Sequence, residues 1–469
     1  MGDKLTLSAS ERINTLLDGS SFVEIGSEVT ARATDFNEGT LDTPKDGVIT
    51  GYGLIDGKLV YVYSQDSSVL GGAIGEMHAK KIAAIYNLAM KVGAPVIGLI
   101  DCAGLRLQEA TDSLHSFGSL FRKCSIASGV IPQITAVFGN CGGGAAILAA
   151  LSDFSFMVEG SKLFVNSPNA IKNNYEEKCD TSSAKYVSGN TSVVDKVSAS
   201  DAEALFEIRN LIGMLPSNNM EEAVSECEDD LNRTIPDIAS FAGDAGEIAK
   251  QISDDNIIFE SKSEYGKDVF TGFIKLNGAT IAVVGNKDGI ISVQGADKAA
   301  EFVNFADSFN IPVLTITSAK GFEATFESEK TIAKAMAKLS VAFTDATVPK
   351  VNVITGDAFG SAYIVMNSKS LGADLVYAWP SAKIGITDPK TAAQIIYADD
   401  IASETDKVSA IDAAAKKITE EQSSALAAAR RGYIDNIIEP DATRKRLIAA
   451  FDMLATKRED RPYRKHMAF

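Results

Sequence analysis

The stretch AVFGNCGGGAAILAALSD (136–153) sets Gly142, Gly143 and Gly144 between an apolar run and a string of small residues. A glycine run where a strand gives way to a helix serves one of two ends. It lets the helix pack close against a sheet, or it lets a ligand oxygen approach bare backbone N–H groups at a helix N-terminus. A second small-residue turn, DCAGLR (101–106), closes the apolar run APVIGLI (94–100). N–H groups that receive a negatively charged oxygen form an oxyanion hole. Little other chemistry is on offer. The histidines His78, His115 and His466 stand far apart, and the five cysteines form no CxxC pair, so no metal cluster is expected. No G-x-S-x-G pattern surrounds Ser361, which excludes the usual serine-hydrolase elbow. Cys102 and Cys141 flank the glycine turns without a histidine nearby in sequence, and read as buried structural thiols.

The 469 residues are enough for two or three ordinary domains, and 45% hydrophobic with 23% charged is globular composition. A net charge of −17 argues against nucleic acid and anionic membrane surfaces as partners. The odd, scattered cysteines fit reduced thiols, the opening residues carry charge without a signal-peptide apolar run, and no membrane-length apolar stretch appears. The expectation is a cytoplasmic chain.

Elements that could hold the turns alternate along the sequence. SASERINTLLDG (8–19) reads as an amphipathic helix capped at Ser10. DGVITGYGLIDGKLVYVYSQD (46–66) reads as a hairpin turning at Asp56-Gly57, and AKKIAAIYNLAMKVG (79–93) as a helix between it and a buried strand. Strands alternating with helices imply α/β layering with parallel strands. The pattern then repeats. Asp56-Gly57 returns as Asn277-Gly278, 221 positions on; Pro95, Gly104 and Pro132 return as Pro312, Gly321 and Pro349, each 217 positions on. Three blocks at a nearly constant offset imply two homologous domains, 1–225 and 226–469, divided in the acidic stretch 216–240. Each half therefore carries two small-residue turns: DCAGLR and GNCGGGA in the first, TSAKGF and GDAFGSA in the second. Two similar anionic-oxygen sites follow.

The blocks GVITGYGLIDGKLVYVYSQD, VGAPVIGLIDCAGLRLQE, LGADLVYAWPSA and AARRGYIDNIIEPDATR resemble the carboxyltransferase subunits of biotin-dependent acyl-CoA carboxylases and sodium-pumping decarboxylases. The resemblance runs nearly end to end. It implies two crotonase-like α/β domains and a hexamer whose sites form where the first domain of one subunit meets the second of a neighbour. It implies transfer of a carboxyl group between biotin on a separate carrier protein and a short acyl-CoA, with a biotin carboxylase or a membrane decarboxylase subunit as a further partner. Each half-reaction makes one oxyanion, so two holes are needed and no side-chain base. By the resemblance, Ala103 and Gly104 hold the thioester oxygen, Ser361 and Ala362 hold the biotin oxygen, and Arg106, Gly143, Gly144, Gly360 and Ile364 contact substrate. Ile364 would suit a short apolar acyl tail, or else pack under its helix. Arg106 would reach a CoA phosphate, or else hold the turn by a salt bridge.

The chain departs from the family pattern at Ala103 and Ser361, where glycines are usual, and in TSAKGFEAT (317–325), which lacks two usual prolines. In 174–195 the usual Gly-Gly-Ala and histidine are missing, and Asn190 stands near the histidine's place. AMKV (89–92) looks like a biotin-attachment site, but Lys91 lies within a helical pattern, so this chain is expected to carry no biotin. Trp379 reads as core. Two alternatives stand beside the resemblance: a crotonase-type hydratase or isomerase using Glu109, and a weakened partner subunit in a mixed hexamer.

Overall fold

The computed structural model describes residues 6–36, 42–172, 174 and 178–465. The chain divides into two compact units between Ala223 and Val224. The first opens on helix α1 (Ala9–Leu16). Its cap is Ser8 rather than Ser10: Ser8 Oγ accepts the Glu11 N–H and the Ser8 N–H donates to the Glu11 carboxylate, a reciprocal capping box.

Eight strands follow: β1 (Val23–Glu24), β2 (Val48–Ile55), β3 (Lys58–Gln65), β4 (Val96–Cys102), β5 (Gln133–Gly142), β6 (Phe154–Val158), β7 (Lys162–Phe164) and β8 (Lys196–Ser198). They form one sheet in the order β1-β2-β3-β4-β5-β6-β8, with β7 paired to the far end of β5. β1, β2 and β3 pair antiparallel and the rest parallel. The β2–β3 turn falls at Asp56-Gly57, with φ of 48° and 79°, as a two-residue hairpin turn requires. Helices α2 (Glu76–Val92) and α3 (Ala110–Ala127) pack on the sheet through Ile82, Ile85, Phe117 and Leu120. Lys91 sits in the last turn of α2, not on a hairpin tip.

The second unit repeats the plan with β9 (Ile258–Glu260), β10 (Val269–Leu276), β11 (Ala279–Asn286), β12 (Ile290–Ile291), β13 (Val313–Thr317), β14 (Gly321–Phe322), β15 (Lys350–Ile354), β16 (Asp357–Phe359), β17 (Leu375–Ala378), β18 (Lys383–Gly385) and β19 (Asn436–Ile437). The main sheet runs β19-β17-β15-β13-β11-β10-β9, with β12–β14 and β16–β18 as short parallel pairs. Its hairpin turn, Asn277-Gly278, has the same left-handed φ values, 53° and 77°. Trp379 is buried in this core, as expected, and its Nε1–H donates to Thr443 Oγ1 at 3.0 Å. Helices Pro389–Ile396, Ala398–Ser403 and Lys407–Ile418 follow β18 and end in a π-helical turn, Thr419–Ser423.

Candidate active site: two backbone-donor turns

In the first unit the chain leaves β5 at Gly142 and enters a short helix, α4 (Gly144–Ala150). Gly143 makes the junction. Its φ is +60°, a conformation that side-chain-bearing residues rarely adopt, and its N–H is tied to the Phe164 carbonyl of β7 at 2.9 Å. Gly144 serves packing: a Cβ there would stand 2.8 Å from the Phe117 ring. Among the described residues no acceptor takes the N–H of Gly144 or Ala145. Both readings of the glycine run therefore hold, one residue apart.

The second unit builds the same turn. β16 pairs with β18, Gly360 takes φ +56°, and the helix Gly360–Val365 begins. The N–H groups of Ser361 and Ala362 likewise have no acceptor among the described residues. Gly360, Ser361 and Ile364 line a cavity of about 940 Å³, together with Tyr363, Ile386 and Tyr397 among others. Ile364 is 44% exposed, so it is a wall residue rather than core.

The turn 103–106 is differently made. The Ala103 N–H donates to the Gly71 carbonyl at 3.0 Å, and the Gly104 N–H to Cys102 Sγ at 3.3 Å. Neither donor is bare, and this corrects the expectation that Ala103 and Gly104 supply the thioester hole. Gly104 nonetheless lies against the donor turn, since a Cβ on it would stand 3.3 Å from the Gly142 oxygen. The repeat itself carried the better signal: the 217-residue offset places Ser361 and Ala362 over Gly144 and Ala145.

Arg106 is also corrected. It is buried, its Nη1 2.5 Å from Asp46 and 2.8 Å from Glu109, and its Nη2 donates to the Ala73 carbonyl. It holds the turn and is withdrawn from any CoA phosphate. Burial raises the Asp46 carboxyl above its ordinary value, against the pull of the Arg106 charge. The second Glu109 oxygen accepts the Glu76 N–H, so the carboxylate a hydratase would need is fully engaged. His78 completes this buried network. Its Nδ1–H donates to the Asp46 carbonyl, and its Nε2 accepts from Gln65. Burial, then the nearby Arg106 charge, lowers its pKa to about 3, which keeps the ring neutral.

Cys102 and Cys141 are buried side by side as register partners of β4 and β5. Burial pushes the Cys102 thiol up to about 11 and Cys141 higher still, so both are inert thiols. Among the described residues no group of three or more His, Cys, Asp or Glu could hold a metal. His466 lies outside the described residues, as do 175–177 within the altered 174–195 stretch. Asn190 donates, among the described residues, to the Tyr186 carbonyl of its own helix. Among the described residues no helix is long and apolar enough to cross a membrane.

Two duplicated α/β units thus each present, at a strand-to-helix turn, an N–H pair with no acceptor among the described residues. The model of the carboxyl transferase domain matches residues 3–469, and the chain belongs to that family. It is 40% identical over 477 residues to the methylmalonyl-CoA decarboxylase subunit alpha of Propionigenium modestum, covering 98% of this chain and 92% of that one. It is 39% identical over 479 residues to the mitochondrial propionyl-CoA carboxylase beta chain of Homo sapiens, covering 98% and 87%. The transcarboxylase 12S crystal structure, described as a hexamer assembly with hydrolysed methylmalonyl-coenzyme A bound, superimposes with a TM-score of 0.94 at 34% identity, covering 99% of this chain and 93% of that one. The protein is accordingly a carboxyltransferase with two crotonase-like domains.

Proposed function

We propose that this carboxyltransferase moves a carboxyl group between biotin, presented by a separate carrier protein, and a short acyl-CoA of the propionyl and methylmalonyl type. The observation that carries the reading is the turn built twice, with an unpaired N–H pair each time. Gly144 and Ala145 receive the thioester oxygen as it gains negative charge, a role supported by the lack of any acceptor for their N–H groups among the described residues. Ser361 and Ala362 receive the ureido oxygen of biotin. The fit is supported by their free donors and by an adjoining chamber of about 940 Å³, within the range of small-molecule sites. Biotin supplies there a ureido nitrogen that carries or accepts the carboxyl group. Ile364 on the chamber wall meets a short alkyl tail. Fixed backbone donors are already oriented when charge develops, so they stabilise it without reorganisation. The assembly is a hexamer, as in the 12S relative. Relatives named for carboxylation and for decarboxylation are equally similar, at 40% identity, so the direction belongs to the partner that loads or unloads the carrier.

The test is incubation of the purified chain with free biotin and a panel of malonyl-type CoA thioesters. Methylmalonyl-CoA should lose its carboxyl group to give propionyl-CoA. Failure to turn over any thioester, with free biotin or with a biotinylated carrier, refutes the reading.

A further inference from the structure

One polar side chain on the chamber wall has no part in the scheme above. Tyr363 follows Ala362 and precedes Ile364, and it lines the same cavity. Its ring packs, half-buried, against the apolar cluster that includes Ala358, Ile384 and Ala428. Burial pushes its hydroxyl up to about 12, so it stays protonated at neutral pH. Among the described residues no group pairs with that hydroxyl. Half-buried on the wall of the cavity, the phenol is left without a protein partner and is free to bond a ligand there. The turn itself does not demand a phenol, because the repeat sets Ala146 at this place in the first unit, in a helix that begins in the same way.

We propose that Tyr363 is a substrate-binding residue that donates from its hydroxyl to a carboxylate oxygen of a malonyl-type CoA thioester. The inference rests on the proposed function. With the ureido oxygen at Ser361 and Ala362 and the acyl tail at Ile364, the carboxyl group in transit crosses the cavity that Ser361, Tyr363 and Ile364 line together. Tyr363 thus favours the carboxylated thioester over the one that lacks the carboxylate.

Calorimetric titration of the purified chain with methylmalonyl-CoA and with propionyl-CoA, without biotin, tests this. In Tyr363→Phe, methylmalonyl-CoA should bind about tenfold more weakly, the loss of one charge-assisted hydrogen bond. Propionyl-CoA should bind within about twofold of wild type. Equal losses for both thioesters, or no loss for either, overturn the role of Tyr363 while leaving the transfer reading intact. A wild-type chain that binds neither thioester overturns both. Should Tyr363→Phe fail to fold, 3-fluorotyrosine at position 363 gives the same decision by fluorine NMR. Its resonance should move with methylmalonyl-CoA and not with propionyl-CoA, and an equal response to the two overturns the proposal.

Discussion

Replacing Ser361 by proline removes one backbone donor and almost nothing else. Ser361 directly follows Gly360, whose φ of +56° is not helical, so it is in effect the first helical residue of its turn. Proline is well accepted at that position, because the N–H it lacks makes no intrahelical bond there. The Ser361 N–H has no acceptor among the described residues, so no protein hydrogen bond is lost. Ser361 is exposed and already carries a Cβ, so the ring meets little packing. The melting temperature should therefore stay close to wild type. Loss of one oxyanion donor typically costs about 100- to 1000-fold in turnover, or about 2.7 to 4 kcal/mol. Methylmalonyl-CoA decarboxylation with free biotin, followed by release of propionyl-CoA, should show that drop in Ser361→Pro. Ser361→Ala, which keeps the N–H, should retain activity. A folded Ser361→Pro enzyme within about fivefold of wild type would show that this N–H holds no developing charge. An equal drop in Ser361→Ala would assign the effect to the hydroxyl instead.

Three further outcomes follow from the geometry. Gly144→Ala should destabilise by about 1–3 kcal/mol, because its Cβ meets the Phe117 ring at 2.8 Å, and Phe117→Leu should restore much of the loss in denaturant titrations. Arg106→Met should cost about 3–5 kcal/mol by leaving Asp46 and Glu109 buried without their cation, while acyl-CoA KM in the folded fraction stays near wild type; a selective rise in KM would return Arg106 to the CoA site. His78 has its pKa lowered from 6.5 to about 3, chiefly by burial. The unfolded chain therefore binds the extra proton first, and stability is lost as pH falls from about 6.5 towards 3; thermal melts of His78→Gln should show a shallower acid slope over that window.

What was legible in the sequence was whatever short-range chemistry dictates. Asp56-Gly57 and Asn277-Gly278 are hairpin turns because both positions of each need positive φ. The cap of α1 was misplaced at Ser10, because Ser8 and Ser10 compete by composition and only the bond between Ser8 and Glu11 decides for Ser8. Arg106 was not. Its partner Asp46 lies 60 residues away, and only the folded chain brings that carboxylate to 2.5 Å. The cavity was half legible. Gly360, Ser361 and Ile364 belong to the repeated turn, whereas Tyr397 and Ile396 come from the helices after β18, which the repeated blocks do not reach.

The two small-residue turns in each half have separate tasks, and the duplication shows which is which. The offset that relates Gly144 to Ser361 also relates Ala103 to Lys320. The Lys320 N–H donates to the Gly289 carbonyl at 2.7 Å, just as the Ala103 N–H donates to the Gly71 carbonyl at 3.0 Å. In both units this turn is fastened to a neighbouring glycine loop, by the Ile74–Leu105 bridge in the first and the β12–β14 pair in the second. Each also backs its donor turn. Gly104 closes on the Gly142 carbonyl, and the Phe359 N–H donates to the Ala319 carbonyl at 2.9 Å. One turn per unit is thus a brace with its N–H engaged, and the other presents its N–H groups free. The prolines missing from TSAKGFEAT fall on the brace of the second unit, where the backbone bonds of Lys320 and Glu323 already fix the loop. Ser361 falls on the donor turn, where its Cβ points to solvent-exposed space and its N–H remains. Both departures therefore leave the four donors in place, which is why substitutions that remove an N–H should abolish transfer where substitutions that merely add a side chain at Ser361 should not.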